Sequence, residues 1–293
     1  MTQITGAETR RPRVVSTIAG VRALVAEARR AGRTIGFVPT MGALHAGHIG
    51  LVEAAKKAGT YVVVSIYVNP TQFGPGEDID KYPRPFDEDV KACRDLGVDV
   101  VFAPTVKEMY PEKNITWVNV EKLSEPLCGK SRPEHFRGVA TVCAKLFNIV
   151  WPDFAFFGQK DAQQVIVVQR MAADLNMPLK IVVCPTVREK DGLAMSSRNK
   201  YLNQKERKDA VLLYAALQEA ELFINAGVNK GNDIRKEMEK ILNISKQIKV
   251  DYISIVDAQT LNEIKEVKGQ VLIALAVKLG GARLIDNIML DVG

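Results

Sequence analysis

The sequence has few of the residues and segments that build metal centres and membrane anchors. Its 293 residues include three histidines and four cysteines. No two cysteines have the Cys-x-x-Cys spacing typical of a zinc site, so we expect no protein-bound metal centre. No stretch approaches the roughly 20 apolar residues of a membrane-spanning helix, and no apolar block typical of a signal peptide follows Met1. We therefore expect a cytoplasmic protein without membrane contact, whose scattered cysteines remain free thiols.

Aromatic residues are also few, at 6% of the chain. No stretch interleaves them with lysine and arginine, as surfaces that stack nucleic-acid bases do. The net charge of +6 would suit a nucleic-acid binder, but Arg10, Arg11 and Arg13 lie in the N-terminal segment. The other cations that can be placed lie in glycine-containing or loop-like motifs, which favour small anionic substrates. We expect no nucleic-acid partner.

Apolar residues are abundant, at 47% of the chain, and they form alternating strand-like and helix-like segments. The alternation predicts a Rossmann-like parallel α/β sheet with helices on both faces. In such a sheet, ligands bind beyond the carboxyl ends of the strands. Strands are predicted near residues 34–39, 61–68, 98–103, 153–157 and 179–184, and helices near residues 47–58, 85–96, 137–149 and 161–175.

The pattern changes after about residue 186. A helix is expected from Asn203, which can form a capping pair with Glu206, through Ile224. The rest of the chain predicts a smaller C-terminal α+β domain, in which Gly280 and Gly281 turn one antiparallel strand into the next. Its further elements are a helix near 231–242 and strands near 250–257 and 270–279. We assign residues 1–13 to a disordered tail, 14–186 to the Rossmann-like domain and 187–293 to the C-terminal domain.

Residues 36–48 (GFVPTMGALHAGH) join an apolar strand to a helix start and carry two of the three histidines. His45 and His48 would share one face of the first helical turn, where free backbone N–H groups and the helix dipole favour anions. Desolvation and the dipole both oppose imidazolium, so neutral rings would donate N–H groups to phosphate. Two alternatives stay open at this point: a helix start with surface histidines, and half of a metal site.

Two further segments offer phosphate ligands. Residues 193–198 (LAMSSR) carry two hydroxyls, and the forked guanidinium of Arg198 suits a polyphosphate. In residues 153–161 (DFAFFGQKD), an apolar strand ends at Gly158 and is followed by Lys160. This lysine would place a point charge on a phosphate. The alternatives are a domain-connecting loop for the first segment and a solvated helix cap for the second.

Seven motifs carry a family resemblance: residues 37–42 (FVPTMG), 45–48 (HAGH), 68–74 (VNPTQFG), 82–84 (YPR), 128–138 (CGKSRPEHFRG), 157–164 (FGQKDAQQ) and 195–199 (MSSRN). With them, the chain from about Val14 onward resembles the pantoate-β-alanine ligase family, which belongs with nucleotidyl-transfer enzymes that include class I aminoacyl-tRNA synthetases. Ile49 and Gly50 depart slightly from the usual pattern without affecting the chemistry.

The resemblance implies a two-step ligation. The carboxylate of pantoate attacks the α-phosphorus of ATP and pyrophosphate leaves. The amine of β-alanine then attacks the pantoyl adenylate, giving pantothenate and AMP. By the same resemblance, His48 is a proton donor, and His45 and Lys160 act beside it in catalysis. The implied ATP-binding residues are Met41, Gly42, His45, Gly47, His48, Gly158, Gln159, Lys160, Asp161, Val187, Met195, Ser196, Ser197 and Arg198.

Two glutamines are the implied ligands of the acid substrate. An amide donates to a carboxylate and accepts from hydroxyl groups, so Gln72 and Gln164 suit pantoate, and Gln72 is also placed at β-alanine. Residues 14–186 would then bind ATP and pantoate, with residues 187–293 acting as a lid. Gln163 and Gln169 are expected to be ordinary loop or helix-surface amides. Secondary candidates, each of which could instead stabilise its own loop, are Asn69, Tyr82, Arg132 and His135.

Magnesium is expected to arrive with ATP, so a dedicated carboxylate site is unnecessary. Asp87, Glu88 and Asp89 are expected to form the acidic first turn of a helix. Family precedent implies a homodimer. Two other functions remain open: another adenylyl- or nucleotidylyl-transferase with the same ATP site and a different acid, and a non-catalytic nucleotide or RNA binder. Gln72 and Gln164 distinguish the ligase from the other transferase, because the phosphate motifs would serve either enzyme and only these amides would contact the acid.

Overall fold

A computed structural model describes residues 11–293. Residues 1–10, which make up most of the predicted tail, lie outside the described residues. Arg13, which was expected in the tail, instead begins the first strand. It pairs with Val100, and its guanidinium donates to the hydroxyl of Tyr61 at 2.7 Å and to the carboxylate of Glu27 at 2.8 Å. These partners are distant in the chain, so no local pattern indicated the strand.

The first sheet has six parallel strands in the order β1-β4-β3-β2-β5-β6. The chain runs from β2 outward through β3 and β4, then returns to β5 on the other side of β2. This reversal is a topological switch point, where the loops after β2 and β5 separate and leave a crevice. The strands are β1 (Arg13–Val15), β2 (Ile35–Thr40), β3 (Tyr61–Ile66), β4 (Val100–Phe102), β5 (Phe154–Gly158) and β6 (Lys180–Cys184).

Helices cover both faces of this sheet, as the predicted fold class requires. Along β2, Phe37 belongs to a core that also contains Val21 of α1, whereas Val38 belongs to a second core with Val52 of α2. The strand is therefore buried on both sides, which explains its continuous apolar run. The helices are α1 (Ile18–Arg30), α2 (Ala46–Lys57), α3 (Phe86–Asp95), α4 (Val106–Met109), α5 (Cys128–Ser131), α6 (His135–Val150) and α7 (Ala162–Asp174).

Three helices and an antiparallel sheet of order β7-β8-β9 complete the described chain. One face of the sheet, including Ile273, packs on these helices in a core of its own, while Leu272 on the opposite face packs on the first core. The predicted fold class, a Rossmann-like sheet plus a smaller C-terminal α+β part, is confirmed. The elements are α8 (Gln204–Asp209), α9 (Leu212–Asn225), α10 (Gly231–Leu242), β7 (Lys249–Asp257), β8 (Gly269–Leu279) and β9 (Ala282–Val292).

The single helix expected from Asn203 to Ile224 is divided into α8 and α9. Its start agrees with the sequence, because Asn203 and Glu206 form the reciprocal cap. Ala210 (φ −60°, ψ −23°) and Val211 (φ −65°, ψ −21°) then wind more tightly than an α-helix. The division is thus a local change of winding, which apolar periodicity does not reveal.

Helix α6 packs unusually close to the short 3-10 helix Pro70–Gln72 that follows β3. A methyl group on Gly138 would overlap the carbonyl oxygen of Thr71 and come within 2.7 Å of the Cα of Gln72. The absence of a side chain at Gly138 therefore allows Gln72 to lie this close to α6.

We expect Gly138→Ala to lower the free energy of unfolding by about 1 to 3 kcal/mol, because the added methyl group must displace the backbone at Thr71. Urea unfolding measures this change. Gly281→Ala is the control, since a methyl group there meets no atom within 4 Å. Equal stability of the two variants would contradict the close approach.

Candidate active site

A cavity of about 730 Å³ lies at the switch point, bounded by the carboxyl ends of the parallel strands and by β8 and β9. It has the concave form and mixed lining of a small-molecule site. Fourteen of the predicted site residues line it together: Met41, His45, His48, Asn69, Gln72, Tyr82, Arg132, His135, Lys160, Asp161, Gln164, Ser196, Ser197 and Arg198.

The remaining six predicted residues do not line this cavity: Gly42, Gly47, Gly158, Gln159, Val187 and Met195. Five of them lie directly beside a lining residue in the chain. Val187 is the exception, and its carbonyl oxygen accepts a hydrogen bond from the N–H of Met195 at 2.9 Å. These residues therefore shape the backbone around the cavity.

The turn between β2 and α2 is held by a buried carboxylate. Gly42 and Ala43 both have left-handed backbone, with φ of 81° and 51°, a conformation that costs free energy at alanine. Asp89, which is 2% exposed, accepts the N–H of Ala43 at 2.8 Å and that of Leu44 at 2.7 Å. Asp89 does lie in the first turn of α3, as expected, but it also fixes this turn across 45 residues of chain.

The two histidines at the start of α2 have defined hydrogen-bond roles. Nδ1 of His45 accepts the N–H of Gly47 at 3.1 Å, and Nδ1 of His48 lies 3.3 Å from the N–H of His45. An imidazole nitrogen that accepts carries no hydrogen, so in each neutral ring the hydrogen is on Nε2. The ring centroids are 4.1 Å apart. Both rings can thus donate from Nε2 toward a ligand in the cavity.

Both rings are held neutral. Burial lowers the pKa of His45 to about 4 and that of His48 to about 3. The positive charge of Lys160 lowers the pKa of both rings further. Both rings are half-buried and line the cavity, which does not fit the alternative of surface histidines. Within residues 11–293, no three His, Cys, Asp or Glu side chains are grouped so that they could hold a metal ion.

The cations predicted to bind phosphate are already paired with carboxylates. Arg198 makes a bidentate ion pair with Asp78, at 2.9 and 3.0 Å. Nζ of Lys160 lies 3.7 Å from Oδ1 of Asp161. Ser197 is buried, and the hydroxyl of Ser196 caps the short helix Ser197–Tyr201 by accepting the N–H of Arg198 at 3.3 Å. Asp78 thus anchors residues 193–198, here called the serine-containing segment, to the loop after β3.

Gln72 is fixed through both its side chain and its backbone. Its Oε1 accepts from Nδ2 of Asn69 at 3.1 Å, and Asn69 also donates to the carbonyl oxygen of Gly138 at 3.3 Å. The carbonyl oxygen of Gln72 accepts from Nη2 of Arg132 at 3.2 Å and lies 2.8 Å from Nδ1 of His135. Asn69 thus stabilises its own loop, as the alternative for the secondary candidates had it. Arg132 and His135 instead hold the loop of Gln72 from a distant part of the chain.

Gln163 is not the surface amide that the sequence suggested. Its Oε1 accepts the N–H of Cys128 at 3.0 Å, and its Nε2 donates to the carbonyl oxygens of Leu123 and Pro126 at 3.0 and 2.7 Å. It is buried because it supplies hydrogen bonds to an irregular segment before α5. Gln169 is exposed, as expected.

Several residues that organise the cavity were missed by sequence reasoning. Asp78 and Asp89 carry no local signal, since their partners lie 120 and 45 or 46 residues away. Asp286 and Asn287 could have been found, because they interrupt the apolar run of residues 284–290 (LIDNIML). Both are buried and line the cavity.

Comparison with known proteins places this geometry in a family. The model of the family described as pantoate-beta-alanine ligase matches residues 13–289. Pantothenate synthetase of Acetivibrio thermocellus is 54% identical over 280 residues, which cover 96% of this chain and 100% of that protein. Pantothenate synthetase of Moorella thermoacetica is 52% identical over 279 residues, with coverage of 95% and 99%.

Solved structures agree. The crystal structure of pantothenate synthetase from Thermus thermophilus superposes with a TM-score of 0.90 at 45% identity, covering 94% of this chain and 98% of that one. Pantoate-beta-alanine ligase from Francisella tularensis, complexed with beta-gamma ATP and beta-alanine, gives a TM-score of 0.79 at 34% identity, with coverage of 95% and 97%. The sequence resemblance is confirmed, and the chain belongs to the pantoate-beta-alanine ligase family.

Proposed function

We propose that this protein ligates pantoate and β-alanine at the expense of ATP, through a pantoyl-adenylate intermediate, and releases pyrophosphate and AMP. The observation that carries the proposal is the convergence in one cavity of the histidine pair, Lys160, the serine-containing segment and the amides of Gln72 and Gln164. The first three suit a triphosphate and the amides suit a hydroxy acid. The complex of the Francisella tularensis relative with a nucleotide and beta-alanine supports the same assignment.

The chemistry asks the protein for alignment and charge stabilisation rather than for a covalent nucleophile. A carboxylate acylates poorly, whereas its mixed anhydride with AMP has a good leaving group. Attack on the α-phosphorus transfers negative charge to the departing pyrophosphate. Nε2–H groups of His45 and His48 and the ammonium group of Lys160 are the donors that would stabilise this charge, and they are preorganised before the reaction.

The acid would bind beside these donors. Gln72 is held rigidly by Asn69 and by the contacts to its carbonyl oxygen, so its amide loses little entropy on binding. Its Nε2 lies 3.0 Å from the sulfur of Met41, a weak acceptor that a carboxylate oxygen would readily replace. Gln164, one helical turn beyond Lys160, would accept from a pantoate hydroxyl.

Magnesium is proposed to enter as the complex with ATP. Mg²⁺ commonly keeps several waters and binds substrate phosphates, so it needs no cage of protein carboxylates. The apolar core formed by residues 193–292 supports the proposed division into domains 14–186 and 187–293. The lid role of the second domain is proposed from family membership alone. A homodimer and a cytoplasmic location are proposed from family membership. Among the described residues, no helix has the length and apolar character that crossing a membrane requires.

One assay tests the function. The protein is incubated with magnesium and ATP, first with pantoate alone and then with pantoate and β-alanine, while pyrophosphate and AMP are measured. We expect pyrophosphate release to require pantoate and sustained AMP release to require β-alanine. Turnover with a different acid or alcohol would instead support the other adenylyl-transfer function, and ATP binding without turnover would support a non-catalytic binder.

Replacing His48 with alanine should abolish most pantoate-dependent pyrophosphate release, by roughly 100-fold or more, because a preorganised donor to the developing charge is lost. Rapid-quench measurement of pyrophosphate reports this step directly. Gln169→Ala, on the exposed side of α7, is the control for handling and folding. Near-normal pyrophosphate release by His48→Ala would refute the assigned role.

Gln72→Ala should weaken pantoate binding by about 1 to 3 kcal/mol, because a buried carboxylate loses one donor. The KM for pantoate in the pyrophosphate assay measures the change, and the KM for ATP should stay the same. Unaltered pantoate affinity would count against placing the acid at Gln72.

The histidine pKa values predict the pH dependence. Both lie below the ordinary value of about 6.5, so neither ring takes up a proton between pH 8 and pH 5. In the unfolded chain the same histidines take up protons below about pH 6.5. As the pH falls below that value, each ring should therefore lower the free energy of unfolding by up to about 1.4 kcal/mol per pH unit. In ¹⁵N-resolved ring spectra, His45 and His48 should remain neutral Nε2–H tautomers from pH 8 to pH 5. A titration midpoint near 6.5 for either ring would contradict this.

A further inference from the structure

Two adjacent polar residues interrupt the apolar strand β9. Asp286 is 2% exposed and Asn287 is 4% exposed. Because successive side chains of a strand point to opposite faces, the two groups leave β9 in different directions. Each must find hydrogen-bond partners, since an unpaired buried polar group is costly. Asn287 finds them on the turn that carries Lys160, and Asp286 finds them on Arg188, in the hairpin that leads to Ser196 and Ser197.

Asn287 holds the turn that bears Lys160. Its Nδ2 donates to the carbonyl oxygens of Gln159 at 3.0 Å and of Lys160 at 2.8 Å, and its Oδ1 accepts from Nε2 of Gln159 at 3.0 Å. These two carbonyl groups belong to the peptide units on either side of the Cα of Lys160. Fixing both units fixes the backbone dihedrals of Lys160, and with them the direction in which its side chain leaves the turn.

Asp286 holds the segment that leads to Ser196 and Ser197. Its carboxylate pairs with Arg188 through two bonds, of 2.6 and 3.0 Å. Arg188 pairs in turn with Ala194 as an antiparallel bridge, and it donates to the carbonyl oxygen of Gly192 at 3.1 Å. The hairpin from residue 188 to residue 194 runs directly into the serine-containing segment, so its position sets where that segment begins.

Stability alone is a poor explanation for this arrangement. A buried ion pair is often no more stabilising than apolar residues of similar volume, because both charges lose their hydration. Burial does raise the pKa of Asp286, and the bonds from Arg188 oppose the increase. Apolar side chains at residues 286 and 287 would continue the pattern of β9 without this cost. What they could not do is fix two separate backbone segments relative to one strand.

We propose that Asp286 and Asn287 are positioning residues for the triphosphate: one strand of the C-terminal sheet sets the distance between the Lys160 turn and the serine-containing segment. The inference rests on the proposed function, since it takes these two segments as the phosphate ligands. The C-terminal sheet would then contribute to ATP binding by positioning these segments, in addition to lining the cavity.

The test measures binding of magnesium ATP by titration calorimetry in the full-length chain. Asn287→Ala should weaken ATP binding roughly 10-fold, because a freed Lys160 turn no longer presents its charge. In a Lys160→Ala background the same substitution should have little further effect, since coupled residues are not additive. The KM for β-alanine should be unchanged in the single variant.

Ile273→Val is the matched control, because it removes one buried methyl group from the neighbouring strand β8 and leaves the hydrogen bonds of Asp286 and Asn287 in place. It should lower the melting temperature yet leave ATP affinity at the wild-type value. Asp286→Asn, which keeps the volume of the side chain and halves its pairing with Arg188, should weaken ATP binding several-fold. It serves as the primary variant if Asn287→Ala does not fold.

Two results would overturn the inference: wild-type ATP affinity in Asn287→Ala and Asp286→Asn, or equal weakening in Ile273→Val. Failure of the proposed function gives a different result, in which the wild-type protein binds ATP but pantoate does not release pyrophosphate. The binding comparison among the variants still decides the inference in that case, because it needs no turnover.

Discussion

The arrangement of the site depends on the hydrogen bonds that the carboxylate of Asp89 accepts from Ala43 and Leu44. They hold a turn in which a non-glycine residue adopts left-handed backbone, a conformation that persists only where the surroundings compensate for it. The turn determines where α2 begins, and the first turn of α2 carries both histidines. A change in its dihedrals would redirect both Nε2–H groups together. The chemistry of the histidine pair is therefore set from α3, a helix that contributes little else to the cavity.

The site is also preorganised by charge. Three arginines around the cavity each have a carboxylate partner: Arg198 has Asp78, Arg132 has Glu77 and Arg188 has Asp286. Paired guanidinium groups retain donors for a phosphate while their side chains are already ordered, so less entropy is lost when a ligand binds. The pairs also connect loops that are far apart in the chain. These three arginines thus act as crosslinks around the cavity.

How much of the fold and of the site could be predicted from the sequence depended on how far apart in the chain the interacting residues lie. Five of the six parallel strands and most helices of the described chain follow from local apolar periodicity, and the pairing of His45 with His48 follows from a spacing of three residues, so these were predicted. Arg13, Asp78 and Asp89 act through partners distant in the chain, which no window of sequence contains. Gln163 was misjudged because an amide on a helix is assumed to face solvent unless an irregular segment packs on it. The division between α8 and α9 depends on a small change of winding that leaves the apolar pattern intact.

The low pKa values of the two histidines would keep the rings neutral beside a bound triphosphate. Bound phosphate raises the pKa of a neighbouring imidazole, since negative charge favours imidazolium. A ring of ordinary pKa would be drawn toward protonation by the ligand, and its charge would then vary with pH and with the progress of the reaction. Starting from about 4 and about 3, these rings can absorb an increase of roughly two units and still be neutral at pH 7. In the proposed reaction, burial of the pair would thus keep each ring a hydrogen-bond donor of constant charge while pyrophosphate departs.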